Sequence, residues 1–365
     1  LIDFTVRDFS YAYRAAIPIK VLYDSRSTMS SARPKCCMFN QLKMRTCQLY
    51  SIEICAGAGG QALGLEQAGF DHLNLVEIEP RACETLLLNR PAWVVKECDV
   101  KDYSALPFGG VDLLAGGVPC PPFSKAGKQL GDADERDLFP EALRLVEECR
   151  PRAVMLENVR GLLDPVFSEY RKSIVANLER QGYVAEWRLL NAKDYGVSQL
   201  RPRAILVALD KSIASYFTWP IARPEIAPTV GQLLHDLISK NGWKGADDWR
   251  EQACLIAPTL VGGSKKHGGP DLGPTRAKKT WAILGVDGKG IADIEPAQDF
   301  EGMPRLTLRM AARIQGFPDE WIFSGKKTAA YRQIGNAFPP PVAMAVGTQI
   351  KIALQLASNS RLKRA

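Results

Sequence analysis

The sequence predicts an α/β fold with a doubly wound, mostly parallel sheet and a smaller loop-rich domain inserted late in the chain. Three observations lead to this fold class. Apolar, strand-like runs alternate with helical patterns over residues 46–210, as parallel strands joined by crossover helices require. A glycine-rich turn follows the first of these runs. The alternation then fades, and nine of the 42 residues from 261 to 302 are glycine, which is typical of loops.

Seven segments have the length and apolar character of strands. They are residues 48–55, 72–78, 93–100, 111–117, 153–159, 185–192 and 203–209. Helical patterns lie between several of them: Leu138, Ala142, Leu145 and Cys149 fall on one helical face, and the pattern that begins at residue 168 runs to a glycine, as helices often do. Residues 332–354 predict an apolar helix behind a turn, and we expect it to return to the first domain.

Composition excludes several classes of protein. The 365 residues are 46% apolar and 24% charged, which is ordinary for a globular protein. No apolar run approaches the ~18 residues of a membrane span, and the first residues lack the layout of a signal peptide, so we expect a cytoplasmic protein. The nine cysteines include no C-x-x-C pair and there are three histidines, so we expect no metal site. A net charge of +7 permits nucleic-acid binding.

The segment IEICAGAGGQALGLEQAGF holds the first motif with chemical meaning. Gly57, Gly59 and Ala62 fit the G-x-G-x-x-G/A pattern between a strand and a helix, and Glu77 lies 20 residues beyond Gly57 at the end of the next strand. An acid there is placed to bind ribose hydroxyls, and Asp99, after the third strand, is placed to reach an adenine amine. The motif predicts a nucleoside cofactor without separating NAD from S-adenosylmethionine.

The segment GGVPCPPFS places Cys120 between prolines just past the end of a strand. Proline fixes the local backbone and removes N–H donors, and ligands of open α/β sheets bind at the carboxyl ends of strands. Glu157 ends another strand, and Arg201 and Arg203 precede a third. Taken separately, each has an ordinary structural interpretation: Cys120 as a buried thiol, Glu157 as a solvated strand end, and the two arginines as a surface pair. Taken together, they predict a thiol, a carboxyl group and guanidinium groups in one pocket.

With these motifs the chain resembles the DNA cytosine-5 methyltransferases. Six motifs stand in the family's order within residues 48–210 and 304–350: EICAGAGG, GGVPCPPFS, ENV, QLRPR, RLTLRMAARIQGFPDEW and QIGNAFPP. The resemblance implies a Rossmann-like methyltransferase fold, S-adenosyl-L-methionine as methyl donor with S-adenosyl-L-homocysteine as product, and double-stranded DNA as substrate. It also implies that the target cytosine is flipped out of the duplex.

The resemblance assigns roles to the pocket residues. Cys120 is the nucleophile that adds to C6 of cytosine, and Glu157 protonates or hydrogen-bonds N3. Arg203 contacts the base O2 and orients Glu157. The other residues implied at the catalytic site are Arg201, near the DNA phosphate backbone, and Pro119 and Ser124, which line the base pocket or its loop.

The resemblance also implies the cofactor contacts. Glu77 binds the ribose, Ile78 packs on the adenine, Asp99 and Val100 hold the adenine edge, and Asn336 closes the methionine side. The full set of expected cofactor-binding residues is Cys55, Ala56, Gly57, Ala58, Gly59, Gly60, Glu77, Ile78, Asp99, Val100, Asn336 and Ala337.

We divide the chain into four parts: a 1–45 extension without an assigned role, a 46–210 catalytic and cofactor-binding domain, a 211–324 target-recognition domain, and a 325–365 segment that returns to the catalytic domain. The residues expected to bind DNA are Gln199, Lys265, Lys266, Arg276 and Lys278. Phosphate contacts from such cations give affinity, and base-edge contacts give sequence choice. A solvated charged face and a flexible decoration remain alternatives for the insert.

The chain departs from the family pattern at Glu53, Cys55, Pro121 and Met310, where the family usually has Asp, an aromatic residue, Gln and Glu. None of these removes a catalytic group, so we expect an active, monomeric enzyme of restriction–modification type. Its functional partner would be a restriction endonuclease that recognises the same DNA sequence and forms no stable complex with the methyltransferase. Two alternatives stay open: a tRNA cytosine-5 methyltransferase, which usually has a smaller insert, and a DNA-binding regulator that has lost its chemistry.

Overall fold

A computed structural model describes residues 48–119, 137–263 and 269–362. Its strands are β1 (Leu49–Ile54), β2 (Phe70–Glu77), β3 (Val95–Glu97), β4 (Leu113–Gly116), β5 (Ala153–Val159), β6 (Tyr183–Asn191) and β7 (Pro202–Asp210). Each of the seven predicted strands is therefore present, and β3 is the one most shortened relative to its pattern. The expectations for Cys120, Pro121, Ser124, Lys265, Lys266 and the 1–45 extension fall outside the described residues.

The strands form one sheet in the order β3-β2-β1-β4-β5-β7-β6. All neighbouring pairs are parallel except those made by β7, which runs antiparallel to both β5 and β6. The predicted doubly wound, mostly parallel sheet is confirmed. The strand order reverses between β1 and β4, and such a reversal opens a crevice at the carboxyl ends of the two strands.

Ten helices appear in the described part of the chain. They are α1 (Gly60–Ala68), α2 (Pro80–Asn89), α3 (Phe139–Cys149), α4 (Ser168–Arg180), α5 (Val230–Ile238), α6 (Ala246–Gln252), α7 (Thr275–Ile283), α8 (Leu308–Gln315), α9 (Lys327–Asn336) and α10 (Pro340–Leu362). Both helical patterns noted before residue 210 are present as α3 and α4. The apolar helix expected after residue 332 is α10, and the preceding RQIGN is the last turn of α9 rather than a free turn. No helix among the residues described is long and apolar enough to span a membrane.

The sheet has a core on each face, because successive side chains of a strand point to opposite faces. Along β4, Leu113 and Ala115 face the core that contains α1 and α10, whereas Leu114 faces the core that contains α3 and α4. Gly64 of α1 lies so close to the Pro340 carbonyl and Met344 nitrogen of α10 that a side chain there would collide with them. The C-terminal helix thus packs onto the first helix of the sheet.

The insert has a third core of its own. Trp243, Trp249 and Trp281 are buried there, together with residues of α8 and α9 such as Met310 and Tyr331. The insert, residues 211–324, contains the short helices α5, α6, α7 and α8, of seven to nine residues each, and is thus more helical than its glycine content suggests. Helices of about two turns show too few repeats for a clear periodic pattern.

Candidate active site

A cavity of about 420 Å³ lies at the β1–β4 crevice. Its lining includes Glu77 at the end of β2, Gly117 after β4, Glu157 of β5 and Asn336 of α9, together with the glycine loop that follows β1. The same cavity therefore meets the predicted cofactor motif and the predicted acid Glu157. This is the position at which a doubly wound sheet binds its ligands.

Left-handed backbone shapes the glycine loop. Gly57 and Gly59 have φ values of 54° and 83°, which glycine adopts without steric penalty. A side chain at Gly59 would also lie 2.9 Å from the Trp321 ring, and the Trp321 indole N–H donates a hydrogen bond of 3.2 Å to the Ala58 carbonyl. Gly59 thus serves close packing beneath the loop. Cys55, which has a side chain, also takes a positive φ of 51°, an unusual conformation that is typical of functional sites.

The Glu77 carboxylate holds the loop in place. It accepts hydrogen bonds from the Gly57 N–H at 2.7 Å and from the Glu79 N–H at 2.8 Å. Burial raises the pKa of Glu77, and these backbone donors oppose that rise. The side chain lines the cavity, so the acid expected at the ribose also fixes the glycine loop that faces it.

The structure sorts the expected cofactor residues into two groups. Those that line the cavity are Cys55, Ala56, Gly57, Ala58, Gly60, Glu77, Asn336 and Ala337. Gly59 packs on Leu86 and Trp321 instead, and the Val100 side chain is buried in the α3–α4 core. Ile78 is 62% exposed, and the Asp99 carboxylate accepts a hydrogen bond from the Lys101 N–H, so both lie outside the cavity lining.

Sequence reasoning missed several residues of the lining: Glu53, Gln61, Gly117, Gly263, Arg332, Gln333 and Phe338. The signal for Glu53 was an acid inside an apolar strand, which is costly to bury without a purpose. Burial raises its pKa well above the usual value, and the nearby Glu77 charge adds to the rise. Gln61 lies at the start of α1, where its sequence position predicts nothing beyond a helix residue.

Gln61 is a buried polar side chain of the cavity lining whose hydrogen-bonding groups are left unused by the described residues. It is 3% exposed, and neither its amide nitrogen nor its amide oxygen has a hydrogen-bond partner within the described chain. A buried amide without partners carries a free-energy penalty, and buried polar groups of native proteins are normally satisfied. A polar ligand in the cavity would supply the missing donor and acceptor.

Glu157 and Arg203 form the expected pair. Arg203 Nε lies 2.7 Å from Glu157 Oε1, and each side chain is 12% exposed. Burial raises the pKa of Glu157, although Arg203 and Arg201 lower it. The Glu157 carboxyl oxygen Oε2 borders Gly117, at 3.3 Å from the position a side chain there would take. The pair can therefore present a carboxylic acid to the end of β4.

Asn158 ties the segment before Cys120 to β5. Its side-chain nitrogen donates a hydrogen bond of 2.8 Å to the Val118 carbonyl, and Asn158 is buried. The Pro119 carbonyl accepts from the Leu138 N–H at 3.2 Å, while its ring is exposed. The last described residues before Cys120 are thus anchored on two sides, and the sequence motif ENV gains a second structural role.

Arg201 and Gln199, which were expected near a DNA phosphate and on DNA, are both buried in the structure. Arg201 is 1% and Gln199 0% exposed. The Arg201 guanidinium donates to the carbonyls of Leu260, Gly335 and Ala337 at 2.8, 2.7 and 3.0 Å. Main-chain carbonyls bind its two terminal nitrogens in the interior, so the side chain joins these segments to the start of β7 instead of facing solvent.

The cations expected to bind DNA in α7 differ in availability. Lys278 pairs with Asp271 at 2.9 Å and is half-buried. Arg276 is exposed, and so is Lys279, three residues further on, which places both on one helical face. Lys278 therefore serves the fold of the insert, whereas the Arg276 side is open to solvent.

The family model for C-5 cytosine-specific DNA methylases matches residues 49–352. The Type II methyltransferase M.NgoMIV of Neisseria gonorrhoeae is 59% identical over 311 residues, covering 84% of this chain and 99% of that protein. M.NaeI of Lentzea aerocolonigenes is 59% identical over 316 residues, covering 85% and 76%. A solved prophage-encoded DNA modification methyltransferase of E. coli shares 25% identity at a TM-score of 0.58, covering 85% of this chain and 99% of its own.

Proposed function

The chain belongs to the C-5 cytosine-specific DNA methylase family, and we propose that the β1–β4 cavity, together with Cys120, is its site of methyl transfer. The protein is a DNA cytosine-5 methyltransferase of restriction–modification type that uses S-adenosylmethionine. The family match favours DNA over tRNA as substrate and an enzyme over an inactive regulator. The observation that carries the proposed site is the shared lining, in which the glycine loop and Glu157 face one cavity.

The lining fits the cofactor. The unpartnered Gln61 amide supplies one donor and one acceptor for the polar methionine end. Glu77 lines the same cavity near the glycine loop, where a carboxylate can accept from ribose hydroxyls. S-adenosylmethionine, when bound here, supplies an electrophilic methyl group.

The residues of this chain carry the remaining chemistry. The Cys120 thiolate adds to C6 of the flipped cytosine, because a thiolate is a strong nucleophile even when partly populated. The Glu157 carboxyl group gives its proton, or a hydrogen bond, to N3 and so holds the electron pair that the addition sends into the ring. Arg203 keeps Glu157 in place and faces the base O2. After C5 is methylated, loss of the C5 proton and departure of Cys120 restore the aromatic ring.

The raised pKa of Glu157 supports this role. A carboxyl group that keeps its proton nearer to neutral pH is a better acid for N3, since an acid works best when its pKa lies near the working pH. The environment that achieves this is burial. The opposing charge of Arg203 prevents Glu157 from becoming an unpaired buried acid, and the pair remains hydrogen-bonded.

We propose residues 211–324 as the target-recognition domain, with the exposed Arg276 side of α7 toward DNA. Cationic side chains on an exposed face attract phosphates. Lys265 and Lys266 precede α7 in the sequence and add two further cations to this part of the domain. We also propose that the enzyme works as a monomer in the cytoplasm. It would protect DNA from a restriction endonuclease of the same site without forming a stable complex with it.

Methylation mapping tests the proposed function. The full chain is expressed in a methylation-deficient host, and the host DNA is bisulfite-sequenced. The expected result is protection of cytosines within one short motif. Wild-type protein that is folded, binds S-adenosylmethionine and protects no cytosine would contradict the proposal. Labelling of tRNA but not of duplex DNA would contradict the substrate.

A further inference from the structure

We infer that Gly262 and Gly335 form a joint that couples the target-recognition region to the cofactor cavity, which makes both glycines positioning residues for methyl transfer. The inference rests on the proposed function, since it requires DNA on the insert and the cofactor in the cavity. Gly262 belongs to residues 257–263, a segment that we call the strap. The last residue of the strap, Gly263, lines the cavity.

The first half of the strap is fixed beside the entrance to β7. The Leu200 N–H donates to the Ala257 carbonyl at 2.7 Å, and the Leu260 N–H donates to Gln199 Oε1 at 2.9 Å. Arg201 adds its bond of 2.8 Å to the Leu260 carbonyl. The two side-chain bonds are buried and hold this half of the strap firmly. Arg201, which makes one of them, lies two residues before Arg203, the partner of Glu157.

The second half of the strap lies against α9 at a distance that only glycine permits. A side chain on Gly262 would stand 2.6 Å from the Arg332 carbonyl oxygen and would also overlap Asn336 Oδ1. A side chain on Gly335 would stand 2.5 Å from both the Cα and the nitrogen of Gly262. The two main chains are therefore in direct contact, and neither can move far without moving the other.

This contact reaches the cavity through Asn336. Its side-chain nitrogen donates to the Gly263 carbonyl at 3.2 Å, and Asn336 itself lines the cavity beside Arg332 and Gln333. The position of the strap thus sets the position of the residue expected at the methionine side of the cofactor. Gly262 does this without lining the cavity itself.

The contact reaches the insert through Val261. A side chain on Gly273 would lie 3.4 Å from Val261 Cγ2, an ordinary van der Waals distance. Gly273 stands two residues before α7, the helix that exposes Arg276. Gly273 itself has no side chain, so the link to α7 runs through the buried core that Leu260, next to Val261 in the strap, shares with Trp281 of α7. DNA that displaces or orders α7 therefore acts on the strap through this core. Cofactor and DNA should each raise the affinity for the other by the same factor, because coupling between two sites is reciprocal.

Calorimetric titration of the full chain with S-adenosylhomocysteine, with and without duplex DNA, tests the joint. This ligand allows no turnover, and the duplex carries the site found by methylation mapping. Wild type should bind it at least ~5-fold more tightly with the duplex, and Gly262→Ala and Val261→Ala should reduce that ratio below ~2-fold. Gly269→Ala is the matched control, because no atom of the described residues lies within 4 Å of a side chain there, and it should keep the wild-type ratio.

The outcomes separate the joint from the proposed function. The joint is overturned if the duplex does not change the S-adenosylhomocysteine affinity of wild type. It is also overturned if Val261→Ala and folded Gly262→Ala keep the wild-type gain in affinity. In either case, methylation by wild type leaves the proposed function standing. If Gly262→Ala does not fold, Val261→Ala decides, because it removes two methyl groups and creates no clash. Wild-type protein that binds no S-adenosylhomocysteine overturns the proposed function, and the joint with it.

Discussion

Arg203 reaches Glu157 diagonally across two antiparallel strands. Arg203 of β7 stands opposite Val159 of β5, and its Nε pairs at 2.7 Å with Glu157, two residues back along β5. The antiparallel direction of β7 makes this possible, because it brings the start of β7 to the carboxyl end of β5. The single reversed neighbour of β5 thus supplies the cation that the carboxyl group of the active site needs.

The Glu157 acid gives the reaction a pH dependence with a definite sign. Burial raises its pKa, so the protonated, active form persists above the usual range and is lost as the pH rises through the raised value. We expect kcat to fall on the alkaline side of that pKa. Glu157→Gln should reduce kcat by more than ~10²-fold, since it removes a general acid, and should abolish this alkaline limb.

The measurement is a pH–rate profile with saturating substrates. Glu186→Gln is the matched control, because Glu186 pairs with Arg188 on the exposed side of β6 and should leave the profile unchanged. Arg203→Met removes a cation that lowers the Glu157 pKa, so any residual alkaline limb should move to higher pH. An alkaline limb that is the same in wild type and Glu157→Gln would assign it to another group.

Cys120→Ser should abolish methyl transfer and spare binding. A serine hydroxyl is far less nucleophilic than a thiolate, so we expect a loss in kcat of more than ~10²-fold, with duplex affinity within ~3-fold of wild type. Filter binding and methyl-transfer assays on the same preparation measure both. Cys254→Ser, at an exposed cysteine, is the control, and wild-type turnover in Cys120→Ser would refute the nucleophile.

Gln61→Leu should weaken S-adenosylmethionine binding. Leucine keeps the volume and removes the amide whose atoms lack partners in the described chain; losing a hydrogen bond of about 1 kcal/mol or more corresponds to roughly 5-fold or more in Kd. Equilibrium dialysis measures the change. Gln67→Leu, on the exposed side of the same helix, should bind normally. Unchanged affinity in Gln61→Leu would mean that the cofactor leaves this amide unsatisfied.

Sequence patterns predicted the sheet well, because strand periodicity and turn residues are local properties. The resemblance also implied that Arg203 orients Glu157, but the antiparallel direction of β7, which brings Arg203 to the carboxyl end of β5, is seen only in the structure. Sequence patterns could not predict that Arg201 points inward, because its partners are main-chain carbonyls at residues 260, 335 and 337. The sequence of a motif does not show whether DNA phosphates or main-chain carbonyls accept the hydrogen bonds of its arginine.

The missed cavity residues have the same explanation. Gln61 occupies an ordinary helix position in sequence, and its lack of partners exists only in three dimensions. Gly262 and Gly335 are 73 residues apart, and their contact follows from how the insert returns to α9.

Glu53 predicts how stability depends on pH. Burial raises its pKa well above the usual value, so the folded state holds a proton that the unfolded state releases above about pH 4.5. Stability without cofactor should therefore decline as pH rises toward the folded-state pKa. Glu53→Gln should remove this decline and keep Tm at pH 8 at least about 2 °C above wild type. Glu97→Gln, at an exposed position of β3, is the control and should leave the decline in stability unchanged. Equal Tm values for Glu53→Gln and wild type at each pH would contradict the raised pKa of Glu53.

The two cations of α7 should differ in their effect on DNA binding, although they are two residues apart. Arg276 is exposed, whereas Lys278 is paired with Asp271 at 2.9 Å. Arg276→Ala should weaken duplex binding at moderate salt by ~5-fold or more and should reduce the slope of log K against log salt by about 0.9, the value of one lost phosphate contact. Lys278→Ala should change that slope little and should lower Tm instead, because it removes the ion-pair partner of Asp271 and leaves, among the described residues, only the Gly273 N–H bonded to that carboxylate. Salt titrations of fluorescence anisotropy measure the slope, and thermal melts measure Tm.

Equal slopes for Arg276→Ala and wild type would show that the exposed side of α7 does not face the DNA backbone. A reduced slope for Lys278→Ala alone would mean that the ion pair between Lys278 and Asp271 opens when DNA binds.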